Sequence, residues 1–322
     1  MNLSLFQTPG TIVFLDDDPG YLDMLALVLP KEWHARFFLR PQTCIQHLTQ
    51  EITPWEEDAW EQQQIISLWR ETGAPLIPQV LEYWQNPRRY DLSRICVVDY
   101  SMPAMNGLQV LEQLAEWRGS RLLLTGQADE QIAVKAFNHA LIEQFLPKQT
   151  PDISQRLMAV IRHMQAGTGN RQPSPWRATL SQRQYTLLRS PSISAALAEL
   201  AARSWVEHVV IGSPFGILGR SADGQVSWLQ LEPASGLEEL SEMADSIGVN
   251  TKDIEDIQQG RQLVDLELRQ ALGLTIPPQL RPAFTIGSDE PLYGALFAID
   301  APPTGNTYQH WLTSRDERHT IS

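Results

Sequence analysis

The apolar run Thr11–Leu15 stops abruptly at three consecutive aspartates, Asp16-Asp17-Asp18. A run without polar alternation reads as a strand buried on both faces, the kind found in parallel sheets. Asp18-Pro19 then reads as a helix start, because Asp can cap the free amides and Pro suits the first helical position. Tyr21, Leu25 and Val28 give that helix one apolar stripe. The pattern repeats: the apolar stretch 94–98 ends in Asp99, 121–124 ends at Thr125, and 144–146 is followed by Pro147 and Lys148. Residues 35–39 supply one more strand. Helical stretches at 41–48, 108–117, 129–139 and 151–165 separate these strands. Strands alternating with helices predict an α/β domain: a doubly wound, five-stranded parallel sheet with helices on both faces.

In such a sheet the C-terminal ends of the strands share one edge, where ligands bind. Asp16, Asp17, Asp99, Thr125 and Lys148 are all predicted there. Clustered carboxylates repel one another and become tolerable around a hard cation such as Mg²⁺. A lysine and a hydroxyl at the same edge offer donors to phosphoryl oxygens.

Four segments carry a family resemblance. Thr-Ile-Val-Phe-Leu-Asp-Asp-Asp-Pro (11–19), Val-Val-Asp-Tyr-Ser-Met-Pro-Ala-Met-Asn-Gly-Leu (97–108), Leu-Leu-Leu-Thr-Gly (122–126) and Phe-Leu-Pro-Lys (145–148) resemble, in order, the signature segments of the receiver domains of two-component response regulators. The resemblance covers roughly residues 9–166 and implies a flavodoxin-like fold. It implies that Asp99 accepts a phosphoryl group from a histidine kinase or phosphotransfer protein. Asp16 and Asp17 would hold Mg²⁺ together with Asp99 and the backbone carbonyl of Ser101. Thr125 and Lys148 would contact the phosphoryl group, and Phe145 would be the switch aromatic. The only catalysis implied is Mg²⁺-dependent self-phosphorylation and dephosphorylation. Two features depart from the family: Gln149 replaces the usual Pro after the lysine, and Asp17 to Asp99 spans 82 positions (99 − 17). Two strand–helix units need only about 45 residues.

The excess predicts a helical insertion at about 50–93. Periodic residues over 55–69, prolines at 75 and 78 and an apolar stretch at 80–84 suggest an αα-hairpin. Trp55, Trp60, Trp69 and Trp84 make it either a cap that buries its own tryptophans or a docking or dimer surface. Gly167, Gly169, Pro173 and Pro175 mark a linker over 167–179. The expected organisation is therefore a receiver domain at 1–166 and a second, α+β output domain at 180–322.

The second domain names no chemistry. Strands are predicted at 208–211, 215–218, 226–231 and 291–299, with an Ala-rich helix at 192–203. Residues 237–260 have the spacing of a helix-turn-helix, with Ala244 and Gly248 small at the crossing and turn. Its would-be recognition helix carries Asp253, Glu255 and Asp256 against Lys252, whereas phosphate contacts need basic residues. Effector action through protein or ligand interaction is the leading reading, and a DNA-binding transcription regulator is the alternative. The formal net charge of −13 argues against attraction to nucleic acid or anionic membrane. No apolar run reaches membrane-spanning length and residues 1–10 lack a signal-peptide pattern. The two cysteines, Cys44 and Cys96, have no metal-type spacing, so a cytoplasmic setting is expected.

Overall fold

The computed structural model describes residues 3–126, 130–165, 174–288, 291–300, 307–315 and 320–321. After a two-residue strand β1 (Phe6–Gln7), the chain runs through β2 (Thr11–Leu15), α1 (Pro19–Val28), β3 (His34–Phe38), α2 (Pro41–Gln50), α3 (Ile52–Thr72), α4 (Leu76–Tyr83) and β4 (Ser93–Asp99). It continues through α5 (Gly107–Gln113), β5 (Ser120–Thr125), α6 (Glu130–Asn138), β6 (Gln144–Pro147) and α7 (Ile153–His163). Then follow α8 (Gln182–Leu188), α9 (Pro191–Ser204), β7 (Glu207–Gly212), β8 (Phe215–Arg220), β9 (Val226–Pro233), α10 (Leu237–Ser246), α11 (Thr251–Gln258), β10 (Gln262–Val264) and α12 (Leu266–Leu272). The last elements are β11 (Leu280–Pro282), β12 (Phe284–Ile286), β13 (Leu292–Ile299), α13 (Tyr308–Ser314) and β14 (Thr320–Ile321).

Strands β3-β2-β4-β5-β6 form the expected parallel sheet, and β14 adds a sixth parallel strand beside β3. Alternate residues of each strand serve opposite faces. Ile12, Phe14, Ile95, Val97, Leu122 and Leu124 pack against Leu22 and Leu25 of α1 and Leu157 and Ile161 of α7. Val13, Leu15, Cys96, Val98 and Leu123 pack against Leu48 of α2, Val110 and Leu111 of α5 and Ala136 of α6. Burial on both faces is why these strands read as unbroken apolar runs. Cys44 and Cys96 are free thiols buried in that second cluster.

The second domain has an antiparallel sheet of order β1-β7-β8-β9-β13-β12, beside a small pair β10-β11. One face carries Val210, Ile217, Leu229 and Leu231 against Leu187 and Leu188 of α8 and Ile193 and Leu197 of α9. On the other, Val209, Ile211, Leu218, Trp228 and Phe297 pack with Leu237 and Leu240 of α10, Ile257 of α11 and Leu268 of α12. Two helices stand at 237–260, α10 and α11, with Ala244 and Ile257 fully buried.

Contacts divide the chain into two units, neither continuous in sequence. One comprises Thr8–Trp60, Pro87–Pro173 and Tyr308–Ser322; the other comprises Met1–Gln7, Glu61–Asn86 and Ser174–Thr307. Three segments therefore fall across the boundaries expected from sequence, each for a physical reason. Strand β1 pairs with β7. Strand β14 pairs with β3. Most of the insertion joins the second core, because Ile65, Ile66, Leu76, Ile77, Val80 and Trp84 are buried in the same cluster as Val209 and Trp228. Pro78 does not break α4; it lies in the first turn, where its missing N–H would have had no helical partner. Of the four insertion tryptophans, Trp84 is buried, Trp55 and Trp69 are partly buried in core clusters, and Trp60 is 64% exposed. Residues 167–173 of the expected linker lie outside the described residues. Its remainder is not a loop: Pro175–Thr179 forms a 3₁₀ turn whose Trp176 is buried and donates from Nε1 to Gln62 Oε1 at 3.0 Å.

Candidate functional site: an acidic edge with a bridging lysine

The polar ends of the parallel strands converge as the sequence predicts. Side-chain oxygens of Asp16, Asp17 and Asp99 all lie within 4.8 Å of one another. Asp16 and Asp99 are buried and Asp17 is exposed. Each position is set locally. The Asp16 amide donates to Phe38 O at 3.1 Å, extending the β2–β3 ladder to its last residue. Asp18 turns away from the cluster and caps α1, its Oδ1 accepting from Gly20 N at 2.9 Å and Tyr21 N at 3.2 Å. Beyond Asp99, the Tyr100 amide donates to Leu124 O at 2.8 Å and the Gly107 amide to Tyr100 O at 3.0 Å. A Cβ at Gly107 would stand 2.3 Å from the Asp99 carbonyl oxygen, so the close approach requires glycine.

Lys148 joins the carboxylates. Its amide donates to Thr125 O at 2.8 Å, which fixes the β6 end against the β5 end without a proline at 149. Its Nζ lies 2.6 Å from Asp16 Oδ2 and 2.8 Å from Asp99 Oδ1. The remaining oxygens accept backbone donors, Asp16 Oδ1 from Asp18 N and Asp99 Oδ2 from Ser101 N, each at 3.1 Å. Burial raises the Asp16 pKa, although hydrogen bonds from Lys148 and the Asp18 amide pull it down. Burial pulls Lys148 down too, but its bonds to Asp16 and Asp99 outweigh that and its pKa is raised. Three carboxylates against one ammonium leave two negative charges, and a divalent cation would offset them. All donors at hand are oxygens, which suits a hard cation.

Thr125 is fully buried, and its Oγ1 has no hydrogen-bond partner. A buried hydroxyl left unpaired costs about 1–3 kcal/mol, which an incoming oxygen at this edge would relieve. Ser101 is exposed. Phe145 is partly buried and packs on the cluster of Val98 and Leu123. One residue at this edge was unmarked in the sequence. Tyr21, noted there only as part of an apolar stripe, places its ring 4.7 Å from Lys148 Nζ. Burial and the charges of Asp16 and Asp99 raise its pKa, against the effect of Lys148.

The structure of the response regulator LqsR from Legionella pneumophila superposes on this chain with a TM-score of 0.69, at 22% identity over 98% of this chain and 98% of that chain. The chain has the fold of a response regulator. The unit with the parallel sheet carries the acidic edge. Shorter chains align with about half of it. A receiver domain protein from Clostridium thermocellum aligns at 15% identity over 48% of this chain and 92% of its own, with a TM-score of 0.31. A CheY-like receiver domain protein from Methanospirillum hungatei aligns at 16% identity over 50% of this chain and 96% of its own, with a TM-score of 0.31. No protein-family model and no curated protein matches the sequence. No described helix is long and apolar enough to cross a membrane.

Proposed function

We propose that the chain is a phospho-switched response regulator that accepts a phosphoryl group on Asp99. The observation that carries this reading is the Lys148 ammonium bridging Asp16 and Asp99 at the end of a parallel sheet. The Asp99 carboxylate oxygen attacks the phosphorus of a phosphohistidine on a histidine kinase or phosphotransfer protein. The P–N bond breaks, the imidazole leaves with the bonding pair and takes up a proton, and an acyl phosphate remains. Lys148 meets the phosphoryl oxygens with a charge-assisted hydrogen bond, and the unpaired Thr125 hydroxyl supplies another. Asp16, Asp17, Asp99 and the Ser101 carbonyl are the groups that would hold Mg²⁺, which supplies charge neutralisation to the transferring group when bound. Phe145, half-buried beside this edge, is the residue whose packing would report the change to the rest of the receiver.

The output unit acts through protein or ligand interaction, in the cytoplasm. Helices α10 and α11 bury Ala244 and Ile257 in the core, while α11 carries Asp253, Glu255 and Asp256 against Lys252, with Asp256 tied to Arg261. Nothing basic enough to gather phosphates stands on that helix.

Beryllofluoride with Mg²⁺, a mimic of the acyl phosphate, tests the reading. Binding is expected to perturb the receiver amides around Asp99, Thr125 and Lys148 in the wild type and not in Asp99→Asn. Equal behaviour of the two proteins would overturn it.

A further inference from the structure

Two of the groups that meet the Lys148 ammonium are carboxylates, Asp16 and Asp99. Another is the face of Tyr21, whose centroid lies 4.7 Å from Nζ. Tyr21 is held there by its own backbone, since its amide donates to the Asp18 cap at 3.2 Å in the first turn of α1. Its ring packs on the cluster of Leu22 and Leu25. We propose that Tyr21 is a positioning residue for phosphoryl acceptance, its ring face holding the Lys148 ammonium over Asp99. The inference rests on the reading of Asp99 as phosphoacceptor.

The physical case lies in what changes at this site and what does not. When a phosphoryl group joins Asp99, one carboxylate oxygen becomes the bridging oxygen of a mixed anhydride, and Asp99 no longer offers Lys148 a free carboxylate. Lys148 then has to pass from the Asp99 carboxylate to the phosphoryl oxygens while keeping its place beside Asp16. An aromatic face attracts a cation through its quadrupole and carries no net charge, so it neither repels an arriving phosphoryl group nor alters when one binds. Lysine has a flexible four-carbon stem with about 2 kcal/mol of rotamer entropy to lose. A ring that confines the stem beforehand removes part of that cost from the reacting state. Glutamine at 149 leaves the residue after Lys148 free of the φ constraint a proline would impose.

The test uses the full chain with Tyr21→Phe and Tyr21→Leu. In protein labelled with ¹³C at lysine Cε, the Lys148 signal (assigned through Lys148→Gln) is expected to be shifted by the ring current in wild type and Tyr21→Phe. In Tyr21→Leu that shift should be lost. With acetyl phosphate and Mg²⁺, Tyr21→Leu is expected to be modified about tenfold more slowly at saturating donor, the scale of one cation–π contact near a partly desolvated site, with little change in half-saturating donor concentration. Tyr21→Phe should recover most of the rate. A Lys148 signal that stays put in Tyr21→Leu, a wild-type rate in Tyr21→Leu, or a Tyr21→Phe as slow as Tyr21→Leu would each overturn the proposal. A wild type that acetyl phosphate does not modify would refute the phosphoacceptor reading instead, while the Lys148 signal still judges the ring contact.

Discussion

Ile77→Ala tests where the insertion belongs. Ile77 lies in α4, is fully buried, and shares a cluster with Val209, Leu218 and Trp228 of the antiparallel sheet. Removing most of a buried Ile side chain costs ~2–5 kcal/mol from lost transfer energy and the cavity left behind. In a unit of this size each kcal/mol lowers the thermal midpoint by roughly 2–4 °C. Denaturant unfolding gives the size of the loss, and hydrogen exchange read by mass spectrometry gives its location. Amides of β7, β8 and β9 are expected to lose protection while those of β2, β4 and β5 keep theirs. Loss confined to the parallel strands, or a cost below ~0.5 kcal/mol, would refute the placement of 61–86 in the second core.

Two titrating groups and one cap give further expectations. Burial lowers the His208 pKa to about 4, although its Nε2 faces the Ser4 carbonyl. As pH falls from about 6.5 the unfolded chain takes up the proton first, so the second unit should lose up to ~3 kcal/mol between there and about 4, and His208→Gln should flatten that slope in denaturant melts. Burial, with Glu267 and Glu239 nearby, raises Glu232 to about 7. The stability it contributes is therefore present below about 4.5 and lost as pH rises through about 7, so Glu232→Gln should gain on the wild type between pH 5 and pH 8; an unchanged difference would contradict it. Asp18→Ala should cost ~0.5–2 kcal/mol by uncapping α1, measurable as a lower midpoint for the receiver unit with the second unit unaffected.

The acidic edge was legible because the sheet writes it into the chain. Strands covered on both faces must be apolar throughout, so the first polar residue after each marks the edge: Asp16, Asp99, Thr125 and Lys148. The start of α1 was legible from Asp18 and Pro19, and the helix pair α10–α11 from small residues at 244 and 248. Allegiance between units was not. Periodicity shows that α3 and α4 own an apolar face, and says nothing about which sheet covers it. The pairing of Phe6–Gln7 with β7 and of Thr320–Ile321 with β3 was hidden because two residues are too few to show a period. Trp176 sits among the Gly and Pro signals of a linker, and only the packing distinguishes a buried anchor there from an exposed one. Tyr21 was read as a hydrophobic stripe residue because its relation to Lys148, 127 positions away (148 − 21), exists only after β2 and β6 are brought into one sheet.

The measurement that bears most directly on the central claim is chemical identification of the acceptor. After incubation with acetyl phosphate and Mg²⁺, borohydride reduces an aspartyl phosphate to homoserine, and peptide mass spectrometry places that change. Homoserine is expected at position 99 in the wild type and at no aspartate in Asp99→Asn. Reduction at Asp16 or Asp17, or a wild type that carries no acyl phosphate while its receiver unit is folded, would contradict it.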